Sequence, residues 1–276
     1  MTEQLVLETM GPDHLDGAVA LSRQAEWPHR REDWEMVLAV SEGTVALESG
    51  RVVATTMMTP YGDNVATINM VIVDQSMRGR GVGRKLMNAA LDKAGDRICI
   101  LVATQDGLPL YEKLGFVATG EILQHQGHAP KVEVPAAVAW ATDADFAAIA
   151  ALDLQASGWR RDRLMGELRK RAQFAVIRDG NQVVAAVGAR AFGRGLVIGP
   201  VIARDGDEAR ALIDFMLAKH EGAFVRVDTS ASTGLGSWLE ERGLKHVGGG
   251  IAMRRGEATD GHSPYKIFAL VNQALG

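Results

Sequence analysis

Residues 67–94, TINMVIVDQSMRGRGVGRKLMNAALDKA, constrain the fold of this chain more than any other stretch. An apolar run, a turn with three glycines and three arginines, and a segment of helical periodicity follow one another without a gap. Val65, Val71 and Val73 point one way and Ile68, Met70 and Ile72 the other, so both faces of the strand are largely apolar. That pattern suits a central strand covered on both sides. After the turn, Val82, Leu86, Met87, Ala90, Leu91 and Ala94 recur at helical spacing and give one oily face.

The turn favours an anion. Gly79, Gly81 and Gly83 allow a sharp bend or a close backbone approach to a ligand. The first amides of the following helix have no intrahelical partner, and the helix dipole places about half a positive charge there. Arg78, Arg80, Arg84 and Lys85 add cations, so a phosphate or pyrophosphate is expected, with a solvated basic turn as the plainer alternative. Spacing excludes two familiar phosphate loops. A P-loop needs Gly-Lys-Ser/Thr five residues after its first glycine, where Arg84 stands after Gly79, and Lys85 is followed by Leu86. The dinucleotide pattern G-x-G-x-x-G fails at Arg84 or at Leu86, depending on which glycine opens it.

A second signal lies about thirty residues on, past an apolar strand at 97–103. Tyr111-Glu112-Lys113-Leu114-Gly115-Phe116 reads as a short helix carrying a tyrosine, ended by glycine and followed by a strand. Arg78-x-x-Gly81-x-Gly83 after a valine strand, with this tyrosine segment behind it, resembles the GCN5-related N-acetyltransferase (GNAT) superfamily. The resemblance implies an α/β fold in which a mixed central sheet is flanked by helices. It implies acetyl-CoA as cosubstrate, its pyrophosphate on the loop amides and its pantetheine where the strand splays from its neighbour. Val71, Ile72, Val73, Arg78, Gly79, Arg80, Gly81, Val82, Gly83 and Arg84 would then bind the cofactor. Thr104 stands where the family often has an asparagine contacting pantetheine. Tyr111 matches the tyrosine that acts as general acid for the leaving CoA thiolate.

An acceptor amine like lysine, with a pKa near 10.4, is neutral in only about one molecule in a thousand at pH 7, so the site needs a base or a desolvated pocket. Glu26, His29, Glu32, Asp33, Asp63 and Glu121 are candidates, and the sequence singles out none. A strand amide such as that of Val71 or Ile72 suits the oxyanion of the tetrahedral intermediate.

Upstream, residues 4–9 read as a strand, a helix starts at Gly11-Pro12-Asp13, and a second helix spans 31–40 with Trp34 as a core anchor. Trp27 and His29 lie in the break between the helices, where this family often contacts the acceptor. A substrate-binding role for Trp27 and His29 is one expectation, with ordinary packing or solvent exposure as the plainer one. Strands at 44–49 and 51–59 join at Ser49-Gly50.

The order repeats. Strand, helix and hairpin signals recur from residue 143 on, and WLEERGL at 238–244 matches LYEKLGF at an offset of 128 residues. The chemistry does not recur: MRGRGVG becomes ARDGDEA, and Leu239 takes the place of Tyr111. Asp205, Asp207 and Glu208 would repel a pyrophosphate and read instead as a helix cap. The expectation is two tandem GNAT-like domains: 1–126 catalytic, and 135–276 degenerate and ending in a C-terminal helix with Ile267, Leu270, Val271 and Leu275 on one face. The polar stretch 120–141 reads as the linker, with His125 and His128 in a solvated loop, and 256–263 as a polar tail.

Length of 276 residues suits two domains, and a net charge of −4 argues against a nucleic-acid binder. Cys99 is the only cysteine, which precludes an intramolecular disulfide and is consistent with a reducing cytoplasm. No leader, membrane-length apolar run or metal-ligand spacing is evident. The chain is therefore expected to be a cytoplasmic, metal-free, monomeric or homodimeric N-acetyltransferase acting from acetyl-CoA on a small-molecule amine. No nucleic-acid or membrane partner is expected. A protein or peptide acceptor, and an acyl-CoA sensor without turnover, are the competing expectations.

Overall fold

A computed structural model describes residues 5–257 and 263–276. Residue 4 of the first expected strand and residues 258–262 of the polar tail lie outside the described residues. The first half runs β1 (Leu5–Thr9), α1 (Leu15–Gln24), α2 (Arg31–Val40), β2 (Glu42–Glu48), β3 (Arg51–Tyr61), β4 (Val65–Val73), α3 (Val82–Ala94), β5 (Ile98–Ala103), α4 (Leu108–Lys113) and β6 (Val117–His128). The second half repeats the order as β7 (Val138–Trp140), α5 (Phe146–Ser157), α6 (Asp162–Arg171), β8 (Gln173–Asp179), β9 (Gln182–Phe192), β10 (Gly195–Ala203), α7 (Gly206–Lys219), β11 (Phe224–Ser230), α8 (Gly236–Glu241) and β12 (Lys245–Arg255), followed by β13 (Lys266–Ala269). The fold is α/β, and the strands form one mixed sheet flanked by helices.

The apolar periodicities explain the layers. One core joins the inner faces of α1 and α2, including Leu15, Trp34 and Val37, to those of α5 and α6, including Ile149, Leu164 and Leu168. Trp34 is fully buried, as the spacing predicts. On the opposite side α3 packs Leu86, Met87 and Ala90 onto the first-half strands, and α7 packs Leu212, Ile213 and Met216 onto the second. The halves thus share a core on one face and keep separate cores on the other.

The sheet order is β1-β2-β3-β4-β5-β12-β6-β11-β10-β9-β8-β7, with β13 beside β10. The halves exchange their last strands. β12 of the second half pairs with β5, from Ile251 opposite Ala103 to Arg255 opposite Cys99. β6 of the first half pairs with β11, from His128 opposite Phe224 to Ile122 opposite Ser230. β6 and β12 also pair with each other. The sheet does not divide at the expected boundaries of 126 and 135.

Three expectations are corrected by this topology. Residues 120–128 are not linker but part of β6, and its glutamines are polar because they face a cavity rather than a core. His125 is not in a solvated loop: it is buried, directly opposite His246 of β12, with ring centroids 5.4 Å apart. The expected C-terminal helix is also absent. Residues 266–269 form β13, antiparallel to Val201–Ala203 of β10. The apolar spacing at 267, 270, 271 and 275 fits a helix, but β10 offers backbone groups there that a strand satisfies. Past β13 the chain turns, and the Asn272 side chain accepts the amides of Ala274 and Leu275 at 3.0 and 2.9 Å.

Candidate active site

β4 and β5 run parallel only from Val65 to Thr67, opposite Ile98 to Ile100, and then separate. On its other edge β4 bulges: Ile72 faces Thr55 and Asn69 faces Met57, so Met70 and Val71 have no Cα partner on either side. Met70 sits at a φ of 50°, a conformation that a non-glycine residue adopts only when its surroundings enforce it. The Thr55 hydroxyl donating to the Met70 carbonyl at 2.8 Å helps to hold it. The separation opens a cleft between Val71 on one strand and Val102 on the other.

Past the end of β4 the glycine turn faces the β5–α4 loop, where Arg78 lies 3.8 Å from Asp106. Gly79 and Gly81 both have φ of 75°, and a Cβ at either would meet only open space. Among the described residues, the amides of residues 79–84 find no hydrogen-bond partner; Lys85 is the first to donate, to the Gly81 carbonyl at 3.1 Å. Free amides, left-handed glycines and an open face fit a pyrophosphate. Arg80 pairs with Glu48 at 3.0 Å and Arg78 with Asp106 at 3.8 Å, so part of the loop's charge is already met. The Val82 and Ile72 side chains are buried in the core, which leaves only their backbone for a ligand. Val73 is half-buried and packs against the same cluster as Val82. Arg84 follows at the first turn of α3.

Tyr111 lies on α4, buried against Phe116 at 6.1 Å between ring centroids. Burial pushes its phenol up to about 12, so it stays protonated at neutral pH. Thr104 accepts the Gly107 amide at 3.3 Å and keeps its own hydrogen to donate.

A cavity of about 300 Å³ continues from this cleft and brings Val71, Thr104, Tyr111, Trp27 and His29 together. Ile72, Val73 and residues 78–84 do not line it. His29 is half-buried among Trp27, Trp34 and Phe192, at ring distances of 5.7, 6.3 and 5.6 Å. Burial lowers its pKa to about 4, against the pull of Asp33 and with the push of Arg226 and Arg190. Of the other base candidates, Glu26 lines the cavity, whereas Glu32, Asp33, Asp63 and Glu121 do not. Burial alone would raise the Asp33 pKa, but hydrogen bonds from Arg30 and from the Gly193 amide, the latter at 3.0 Å, hold it low. Asp33 thereby ties the start of α2 to the β9–β10 turn of the other half.

The sequence alone named no residue of the far wall, which the second half supplies through Phe192, Arg194, Arg226 and Gln273, with Gln124 of the exchanged β6. The available signal was Arg226 and Asp228 inside the apolar run FVRVDTS, and glutamine at alternate positions 124 and 126.

The second half has its own version of the cleft. β10 bulges between Ile198 and Val201 and pairs with β11 only at Leu196 and Val197. Here β13 lies in the gap. The Leu270 amide donates to the Asp228 carbonyl at 2.8 Å, and the Thr229 hydroxyl to the Phe268 carbonyl at 2.6 Å. A Cβ at Gly199 would fall 1.9 Å from the Leu270 carbonyl oxygen, so the packing is tight. Asp205 caps α7 by accepting the Asp207 and Glu208 amides at 3.0 and 2.9 Å, as the sequence suggests.

Comparison with known proteins agrees with this arrangement. Residues 7–116 match the acetyltransferase (GNAT) family, and residues 149–269 match an acetyltransferase (GNAT) domain. The uncharacterized N-acetyltransferase YitH of Bacillus subtilis is 29% identical over 278 residues, covering 96% of each chain. A Pyrococcus horikoshii protein described as an acetyltransferase superposes with a TM-score of 0.84 at 17% identity, covering 99% of this chain and 96% of its own. A tandem GNAT protein from the clavulanic acid biosynthesis pathway gives a TM-score of 0.65 at 17% identity, covering 93% and 100%. With both halves matched, the chain belongs to the GNAT family of acetyltransferases, as a tandem of two such units.

Proposed function

We propose that the first half transfers the acetyl group of acetyl-CoA to a primary amine of a small molecule, and that the second half is degenerate and walls the acceptor site. The observation that carries this reading is the contrast between the two clefts. The β4–β5 cleft is open where the two strands separate, with the free amides of residues 79–84 beyond the end of β4 and Tyr111 on the lining of the shared cavity. The β10–β11 cleft is filled by β13, and its helix start is capped by Asp205.

In the reaction the neutral amine attacks the thioester carbonyl, the C–N bond forms, and the C–S bond breaks to release a thiolate. The amides of the Met70–Val71 bulge lie outside the strand ladder and suit the oxyanion. Tyr111 would meet the thiolate. A phenol at about 12 facing a thiol near 8.5 makes full proton transfer about 5 kcal/mol uphill, so Tyr111 acts chiefly as a strong hydrogen-bond donor while solvent completes protonation. Glu26, the carboxylate on the cavity lining, serves as base through water. A cavity of about 300 Å³ favours a small acceptor over a folded protein surface.

Calorimetry with acetyl-CoA followed by thiol release over a panel of amines tests the proposal. One acetyl-CoA per chain and amine-dependent release are expected. Two equivalents bound would refute the sealed second cleft, and binding without release from any amine would leave a sensor in place of an enzyme.

A further inference from the structure

We infer that the acceptor is an amine that also carries a carboxylate, with Arg226 and Arg194 of the second half receiving the carboxylate and Asn69 of β4 receiving the amino group. This rests on the acetyl-transfer reading above and names its substrate class.

Arg226 is the centre of the argument. Its side chain is 13% exposed and lines the cavity. Nε alone contacts the buried Asp228 carboxylate, at 3.1 and 2.9 Å to the two oxygens. Asp228 offsets the charge, but among the described residues both terminal nitrogens of the guanidinium lack a partner. Gln273 also donates to Asp228 at 3.0 Å, and the guanidinium lies 5.3 Å from the Phe192 ring centroid, so the fork is held in one orientation. A planar fork with two free ends matches a carboxylate. Arg194, exposed on the same lining, has no ion pair among the described residues. Glu26 is the lining carboxylate that would oppose them.

The other end is marked by Asn69, which is buried at 6% exposure and also lines the cavity. Its Nδ2 donates to the hydroxyls of Thr59 and Thr67 at 2.9 and 3.1 Å, and its Oδ1 has no partner. A buried amide oxygen left unpaired is costly. That oxygen is closed to a water-sized sphere, so an amine N–H reaches it only as the Asn69 side chain turns toward the cavity. Asn69 adjoins the β4 bulge, on the side of the cavity where the thioester is expected, whereas the arginines belong to the opposite wall. A molecule bridging them has an amine at one end and an anion at the other.

A matched set of acceptors tests this in the intact protein: an amino acid, its carboxamide and the corresponding decarboxylated amine, compared by thiol release. The acid should give a kcat/KM at least about 10-fold above the other two, as expected for a charged hydrogen bond. R194Q, at an exposed position, and R226Q should each raise KM for the acid more than they lower kcat, and should narrow its advantage over the carboxamide. Both variants should bind acetyl-CoA as the parent does, which also verifies that they fold. Equal use of the three acceptors, or an advantage unchanged in both variants, overturns the inference and leaves acetyl transfer standing. Acetyl-CoA binding with no amine turned over overturns acetyl transfer and this inference with it.

Discussion

Nδ1 of His29 lies 3.1 Å from the Ser22 hydroxyl, and that hydroxyl accepts the Trp34 indole N–H at 3.0 Å. An indole only donates, and among the described residues Nδ1 is the one acceptor within reach of the serine hydrogen, so the hydrogen of the neutral imidazole belongs on Nε2. His29 therefore offers the cavity a donor rather than a base.

The same burial gives a pH dependence. In the unfolded chain His29 takes up its proton near pH 6.5; in the folded chain it resists until about 4. The unfolded state binds more protons between those values, so stability is complete above about 6.5 and falls as the pH drops toward 4, by roughly 2–3 kcal/mol. Denaturant unfolding across this range should show that slope, and His29→Gln should flatten it. An equal slope in the variant would move the effect to other groups.

Tyr111→Phe removes one hydroxyl and retains the packing against Phe116. Turnover should fall by about 10²-fold, toward the lower end for a lost acid because the phenol stabilises the thiolate more than it protonates it. KM for acetyl-CoA should change little. A rate within about twofold of the parent would remove Tyr111 from the chemistry.

Gly81→Ala places a methyl group at a φ of 75°, where nothing in the protein opposes it but the backbone is strained by about 1 kcal/mol. The methyl group would also stand on the face offered to the pyrophosphate. Weaker acetyl-CoA binding, by about 10-fold in calorimetry, with a small loss in melting temperature is the expected result. Unchanged affinity would displace the pyrophosphate from this turn.

Cutting the chain between the halves should not yield two folded domains. A fragment of residues 1–130 would leave β5, whose sequence is ICILVA, without β12 on its edge, and β6 without β11. An unpaired apolar edge invites aggregation. Each fragment alone should be insoluble or poorly protected in hydrogen exchange, and co-expression should restore a complex. A monomeric, cooperatively folding 1–130 fragment would contradict this.

Much of the framework was legible in the sequence because it is local. Alternating valines announced β4, helical spacing announced α3, and the Gly79–Gly81–Gly83 turn could be placed between them because positive φ and free amides are properties of a few consecutive residues. The loss of those glycines in 203–209 showed equally early that the second half differs. Trp34 was readable as core for the same reason: its helix carries its own period.

The pairings between distant segments were settled in three dimensions. A strand's sequence does not name its neighbour, so the exchange of β6 and β12 left no mark except polar residues in β6 that suggested a linker. The segment 266–269 could satisfy a helical pattern or a strand, and the vacant backbone of β10 chose the strand. The acceptor wall has the same origin. Arg226 and Gln273 become neighbours of Asn69 and Tyr111 only when two half-sheets are joined through exchanged strands, because side-chain chemistry is written along the chain while proximity is set by which hydrogen-bonding edges remain to be paired.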